Sequence, residues 1–296
     1  MTVGEKLADY ARLVRFSHSV FALPFALASL TLAGTRYQVS AAALGWIVVA
    51  MVGARTAAMG FNRLADRKFD ALNPRTRAWE LPAGKVAVIE AVFLTGAAAI
   101  VFVYAAYRLN PLCFYLSPVA LAVIFFYSLT KRFTWTSHLF LGLALSLAPL
   151  GAWLAVSGAP REAGDIQVPA LMALAVVFWL AGFDIIYAIQ DYRFDREQGL
   201  FSIPARFGVA KSLAVSSVFH FVTVVFLALV GLSAGLGPIY WIGIAAVAGV
   251  LIWEHRLVSP NDLSRINKAF FDVNAYVSLG YLAATALDVF LAAPGR

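Results

Sequence analysis

Apolar residues in this chain do not alternate and do not form narrow stripes. They run in long blocks broken by short polar segments. A helix needs roughly 20 mostly apolar residues to cross a bilayer. Nine blocks meet that pattern, at 17–34, 41–61, 86–106, 112–129, 137–157, 169–190, 212–232, 235–253 and 271–292. They predict an all-α, polytopic membrane protein with nine transmembrane helices. Its 1–296 sequence forms a single domain, with no soluble part left over. The first block lacks a small-residue cleavage site and reads as a span, not a removable signal. The faintest break, between 232 and 235, carries no charge and rests on Gly231, Gly235, Gly237 and Pro238.

Composition agrees with this pattern. Apolar residues make up 61% of the chain and charged residues 13%, with mean hydropathy +0.80. A soluble domain carries about 25% charged residues, so a soluble enzyme, a DNA-binding module and a disordered chain are excluded. The single cysteine, Cys113, permits no internal disulfide and no cysteine-built zinc site.

Charge then supplies orientation. There are 23 Lys+Arg against 16 Asp+Glu, a net charge of +7. With the N-terminus cytoplasmic, 18 of the 23 bases fall in cytoplasmic segments and four on the opposite side, with Arg55 inside a span. That bias predicts an N-in, C-out protein of the inner membrane. It accounts for the basic surplus through the lipid bilayer, with no nucleic-acid partner.

Acids are scarce, so their positions are informative. Five of the ten aspartates lie in two clusters. NRLADRKFD holds Asn62, Asp66 and Asp70, and DIIYAIQDYRFD holds Asp184, Tyr187, Asp191 and Asp195. These spacings keep each set near one helix face, at the cytoplasmic ends of the second and sixth spans. The segments 62–85 and 191–211 that follow read as two related halves. A charge deep in a helix costs about 3 kcal/mol on insertion scales, so Asp184 requires a partner. Side-chain oxygens suit Mg²⁺, which bridges carboxylates to phosphates. Neighbouring Arg63, Arg67, Lys68, Arg75, Arg77, Lys85, Arg193, Arg196 and Arg206 suit an anion. Acids for a metal beside bases for an anion predict a diphosphate site.

Both segments resemble the two aspartate motifs of the UbiA superfamily of intramembrane aromatic prenyltransferases. NPRTRAWELPAGK and YSLTKRF resemble its loop after motif one and its segment after helix 4. The resemblance covers nearly the whole chain. It implies a helical bundle around a central cavity that opens toward the cytoplasmic loops and takes a polyprenyl diphosphate and an aromatic acid acceptor. It also implies one Mg²⁺ on Asn62, Asp66 and Asp70, and a second on Asp191 and Asp195. Lys68, Lys131, Arg132 or Arg206 would bind the remaining phosphate oxygens. The allylic C–O bond would ionise and the ring would attack the cation, with Asp191 or a water it holds taking the ring proton. Asp184 would order the acceptor or support Tyr187. Phe125, Phe126 and Tyr127 are candidates to face the cation, with core packing as the plainer role.

Arg55 lies two turns before Asn62 on the same face. It either binds the acceptor carboxylate or a diphosphate oxygen, or pairs with Asp66 or Asp184. His18, His138 and Asp288 need no function; the histidines read as satisfied polar residues at helix ends, and Asp288 as solvated near the far face. Within the superfamily, Arg15-Phe16-Ser17-His18, FALPFAL and WELPAGK resemble the MqnP-like branch, also labelled 4-hydroxybenzoate polyprenyltransferase-like. That implies 1,4-dihydroxy-6-naphthoate as acceptor, in menaquinone biosynthesis. The alternative acceptor is 4-hydroxybenzoate, in ubiquinone biosynthesis. Trp79 stands where the family usually has an arginine, so Arg77 is the expected substitute. An ion-coupled secondary transporter is the competing class; it places acids at the midplane rather than at one face beside basic loops.

Overall fold

The computed structural model describes residues 3–14, 19–160 and 162–292. In chain order its α-helices are α1 (Val3–Leu13), α2 (Ser19–Ala33), α3 (Ala41–Leu72), α4 (Val88–Leu109), α5 (Pro111–Thr130), α6 (Ser137–Ser157) and α7 (Ala163–Ala188). There follow α8 (Tyr192–Glu197), α9 (Ile203–Phe207), α10 (Val209–Ala234), α11 (Pro238–Leu257), α12 (Ile266–Lys268) and α13 (Asn274–Ala292). Among the described residues the only β-type pairing is one isolated bridge, Ser259 with Asp262. Among the described residues, eight stretches are long and apolar enough to cross a membrane: α3, α4, α5, α6, α10, α11, Gly164–Glu197 and Ile266–Leu291. The ninth expected span appears as α2, which has 15 described residues and falls short of the roughly 20 a crossing needs. Arg15, Phe16, Ser17 and His18 lie outside the described residues.

The chain forms two compact units, Met1–Ser19 with Ala41–Leu129, and Val20–Ser40 with Thr130–Arg296. In the first, α3 packs along α4. Gly60 makes this possible, because a Cβ there would collide with Thr95 Oγ1. The short α1 is too polar and brief to register as an apolar block. Lys6 Nζ donates to Glu90 Oε2 at 2.8 Å, which holds the ammonium above its ordinary pKa, and Arg12 pairs with Asp9 and Glu80. Leu13 is buried against Leu81, Val86 and Ala91. The first unit thereby fastens its own loop 73–87, which follows the first aspartate cluster.

The second unit has an aromatic core. Phe25 lies 4.8 Å from the Trp179 ring and stacks on Tyr281 at 5.0 Å. Gly142 lets α6 approach α7, since a Cβ would meet the main chain of Val177. Pro149 lies inside the continuous α6, and the Ser29 hydroxyl donates to its carbonyl at 2.7 Å.

The uncharged hairpin breaks as expected: α10 ends at the left-handed Gly235 (φ +62°), and α11 starts at Pro238. Asp288 corrects its expected solvation. It is 1% exposed and accepts from the N–H groups of Gly237 (2.7 Å) and Tyr240 (3.2 Å). A carboxylate on α13 thus caps the positive end of α11, a favourable place for an anion. Asp288→Ala is expected to destabilise the protein by about 2 kcal/mol, the scale of hydrogen bonds to a charged group. Thermal unfolding in detergent tests this, and an unchanged Tm contradicts the capping role.

Candidate functional site: two clusters of oxygen ligands

In the first unit α3 runs unbroken through Leu72, so Asn62, Asp66 and Asp70 share its last turns. Asn62 Nδ2 donates to Asp66 Oδ2 at 3.1 Å and approaches Ser128 Oγ of α5 at 3.4 Å. Asp70 is buried and faces Arg63 Nη1 at 3.5 Å. Its Oδ2 has no hydrogen-bond partner. Arg63 is itself buried, with its guanidinium 3.9 Å from the centre of the Trp79 ring. Trp79 therefore supplies an aromatic face to an arginine, an attraction strengthened by loss of water. The base at this place comes from the helix rather than the loop. Arg77, the expected substitute, is exposed, as is Lys68.

Arg55 lies deeper in α3. Its Nε is buried without a hydrogen-bond partner. None of the described ion pairs joins it to Asp66 or Asp184. Phe125 stacks on Phe61 at 4.6 Å, the packing role, while Phe126 is exposed.

In the second unit the expected continuous stripe is broken. A 3₁₀ turn at Ile189–Asp191 separates α7 from α8. Its tighter winding turns the later side chains by about 60° relative to an uninterrupted α-helix. Asp184 and Tyr187 thus belong to α7, with Asp191 and Asp195 beyond the turn. Asp191 and Asp195 are both buried. Asp195 Oδ2 accepts from Ser202 Oγ at 2.9 Å, and Ser202 in turn accepts from the Ala205 N–H, capping α9. The α9 helix carries Arg206, whose guanidinium lies over Trp135 (5.7 Å) and Phe207 (5.5 Å). Lys131 joins the same loop through its carbonyl, which accepts from the Phe201 N–H at 2.7 Å. Arg132, beside it, is half-buried.

Tyr187 stacks on Phe270 at 4.1 Å. Phe270 lies in a π-helical turn, Ala269–Val273, whose carbonyls at 269 and 270 accept from Asn274 Nδ2. Asn274 also takes the Trp179 indole N–H at 2.8 Å and donates to buried Glu254 at 2.9 Å. Sequence reading missed this support, because neither Asn274 nor Glu254 sits near a motif. His138 was read as a satisfied polar residue. It is satisfied, but fully buried rather than at an interface, with Nδ1 2.6 Å from Asp184 Oδ2.

The donors in both clusters are oxygens. Among the described residues no three acid, histidine or cysteine side chains are arranged to hold a metal by themselves. A hard ion that uses one or two carboxylates and completes its shell with water and phosphate oxygens fits this set. Asp70 Oδ2, which makes no hydrogen bond and lies 3.5 Å from Arg63 Nη1, is a further oxygen of this kind.

Fold and clusters together define a multi-span α-helical protein with two sets of oxygen donors, each set among basic side chains. Residues 22–279 match the UbiA prenyltransferase family, and the chain belongs to that family. It is 32% identical to a 4-hydroxybenzoate octaprenyltransferase of Marinobacter nauticus over 97% of this chain and 96% of that protein. The apo structure of a UbiA homolog from Aeropyrum pernix K1 is 35% identical, with TM-score 0.83, and covers 92% of this chain and 98% of that one. A UbiA homolog from Archaeoglobus fulgidus, solved bound to GPP and Mg²⁺, shares the fold at 22% identity and TM-score 0.65, over 94% and 99% of the two chains. The curated relative carries the benzoate name, not the naphthoate one.

Breaking a buried ion pair from one side leaves an uncompensated charge, at a cost of about 3 kcal/mol. In chelator, Arg63→Met is therefore expected to lower Tm, and Asp70→Asn added to it to restore most of the loss. A double variant whose losses simply add contradicts the pairing.

Proposed function

We propose that this protein transfers a polyprenyl group from an allylic diphosphate to a hydroxylated aromatic acid, with 4-hydroxybenzoate as the acceptor. End-to-end similarity to a 4-hydroxybenzoate octaprenyltransferase carries this reading. Support comes from oxygen-ligand clusters at the expected positions on α3 and after α7. The whole chain acts as one domain of the inner membrane, with its chemistry on the cytoplasmic side, where the basic residues concentrate.

Asn62, Asp66 and Asp70 would hold one Mg²⁺, and Asp191 and Asp195 a second. When bound, the ions neutralise charge on the leaving diphosphate. Lys68, Lys131, Arg132 and Arg206 take the remaining phosphate oxygens, with Arg206 steadied by its aromatic neighbours. Arg77, exposed, meets the diphosphate from outside. Arg55, with a buried and unpartnered Nε, binds the acceptor carboxylate, for which a guanidinium fork is suited. Asp184 and Tyr187 order the ring. The C–O bond to diphosphate breaks, a C–C bond to the ring forms, and Asp191 accepts the ring proton. Apolar surroundings keep water from the cation.

A second acceptor, 1,4-dihydroxy-6-naphthoate, is favoured by the resemblance of the FALPFAL and WELPAGK segments to the MqnP-like branch. Both readings require Mg²⁺.

Membranes containing the protein, a labelled allylic diphosphate and Mg²⁺ are expected to give prenylated 4-hydroxybenzoate and free diphosphate. Preference for the naphthoate would select the second reading, and absence of diphosphate release would favour a transporter. Asp66→Asn and Asp191→Asn are each expected to abolish turnover in a folded protein. Full activity in either, or in excess chelator, contradicts the metal assignment.

A further inference from the structure

His138 opens α6 and is wholly buried. A buried polar side chain is retained only where its hydrogen bonds are made. Both ring nitrogens of His138 are engaged. Nε2 lies 3.3 Å from the main-chain nitrogen of Ile203. That N–H donates, so Nε2 accepts and carries no proton. The ring proton is then on Nδ1, which gives it to Asp184 Oδ2 at 2.6 Å.

These two bonds join segments far apart in sequence. Asp184 belongs to α7, and Ile203 starts α9. The residue before Ile203 is Ser202, the hydroxyl partner of Asp195. The residue before that is Phe201, whose N–H is held by the Lys131 carbonyl. The loop 198–208 is therefore tied to α8 through Asp195, to the segment before α6 through Lys131, and to α7 through His138. Only the His138 link ends on a carboxylate whose side chain is still 18% exposed. With Oδ2 taken by the imidazole, Asp184 keeps one oxygen in a fixed direction.

We infer that His138 is a positioning residue for the transfer reaction: it orients the Asp184 carboxylate toward the acceptor and locks the Arg206-bearing loop in the same arrangement. The inference rests on the proposed role of Asp184 in ordering the acceptor ring. Its chemistry is specific. The position needs one donor and one acceptor on a rigid or semi-rigid frame of imidazole size. Glutamine supplies an amide N–H and a carbonyl oxygen, and leucine fills similar space with neither.

The test compares His138→Leu, His138→Gln and Asp184→Asn in purified detergent-solubilised protein. Three quantities are read: kcat, KM for the acceptor, and amide hydrogen exchange across 198–208. Misplacing a substrate-ordering group can cost about a hundredfold in rate. His138→Leu is expected to lose kcat on that scale, to raise acceptor KM and to speed exchange in the loop. His138→Gln is expected to recover most of all three. Asp184→Asn retains an oxygen to accept from Nδ1, so loop exchange stays at the wild-type rate while kcat falls. Wild-type turnover and exchange in His138→Leu overturn the inference. So does a His138→Gln variant as impaired as His138→Leu. If the wild-type protein itself transfers no prenyl group, the proposed function fails, and the exchange comparison still decides whether His138 holds the loop.

Discussion

A carboxylate in an apolar helical protein must have a partner. Water is absent from most of the volume, and an unpaired charge there is costly enough to shift the fold or neutralise the group. Most of the architecture can be understood as the set of answers to that constraint. Asp288 is answered by two backbone N–H groups at the start of α11. Glu254 is answered on one oxygen by Asn274, Asp184 by His138, Asp195 by Ser202, and Asp70 by Arg63 across a long ion pair.

These answers are unequal, and the inequality separates structure from chemistry. Asp288 uses both oxygens on the backbone and serves a helix end. Within the clusters, Asp70 Oδ2 makes no hydrogen bond, and Asp184 keeps one oxygen beyond its histidine. Remaining lone pairs next to a concentration of arginine and lysine are what a metal-bridged diphosphate requires. The buried Arg55 Nε, which has no hydrogen-bond partner, poses the same problem with opposite sign.

The apolar blocks were legible from the sequence because helix length is set by bilayer thickness. Among the described residues, eight long helices begin or end within a few residues of the expected blocks, and the charge-free turn at Gly235 lies where its glycines and proline predict. The two aspartate clusters stand out in the sequence because acids are so scarce. What escaped were partners brought together by tertiary packing. His138 and Asp184 are 46 residues apart, and no periodicity connects them. Trp79 looked like the loss of a phosphate-binding arginine, yet it backs Arg63, which contributes a base from one helix earlier. Asp288 looked solvated because its partners are main-chain atoms, which a sequence does not advertise. The 3₁₀ turn at 189–191 was hidden for a related reason: Ile-Gln-Asp fits an α-helix as readily as a tighter one.

The proposed transfer requires acidic side chains of α3 and of the segment after α7 to bind the allylic diphosphate through Mg²⁺. Equilibrium binding of a labelled allylic diphosphate in Mg²⁺ measures it directly, using the wild type, Asp66→Asn, Asp191→Asn and the double variant. If these aspartates hold the diphosphate through metal, each single change and the double remove most of the binding. Wild-type affinity in either single variant, or affinity unchanged when Mg²⁺ is removed, would contradict the account.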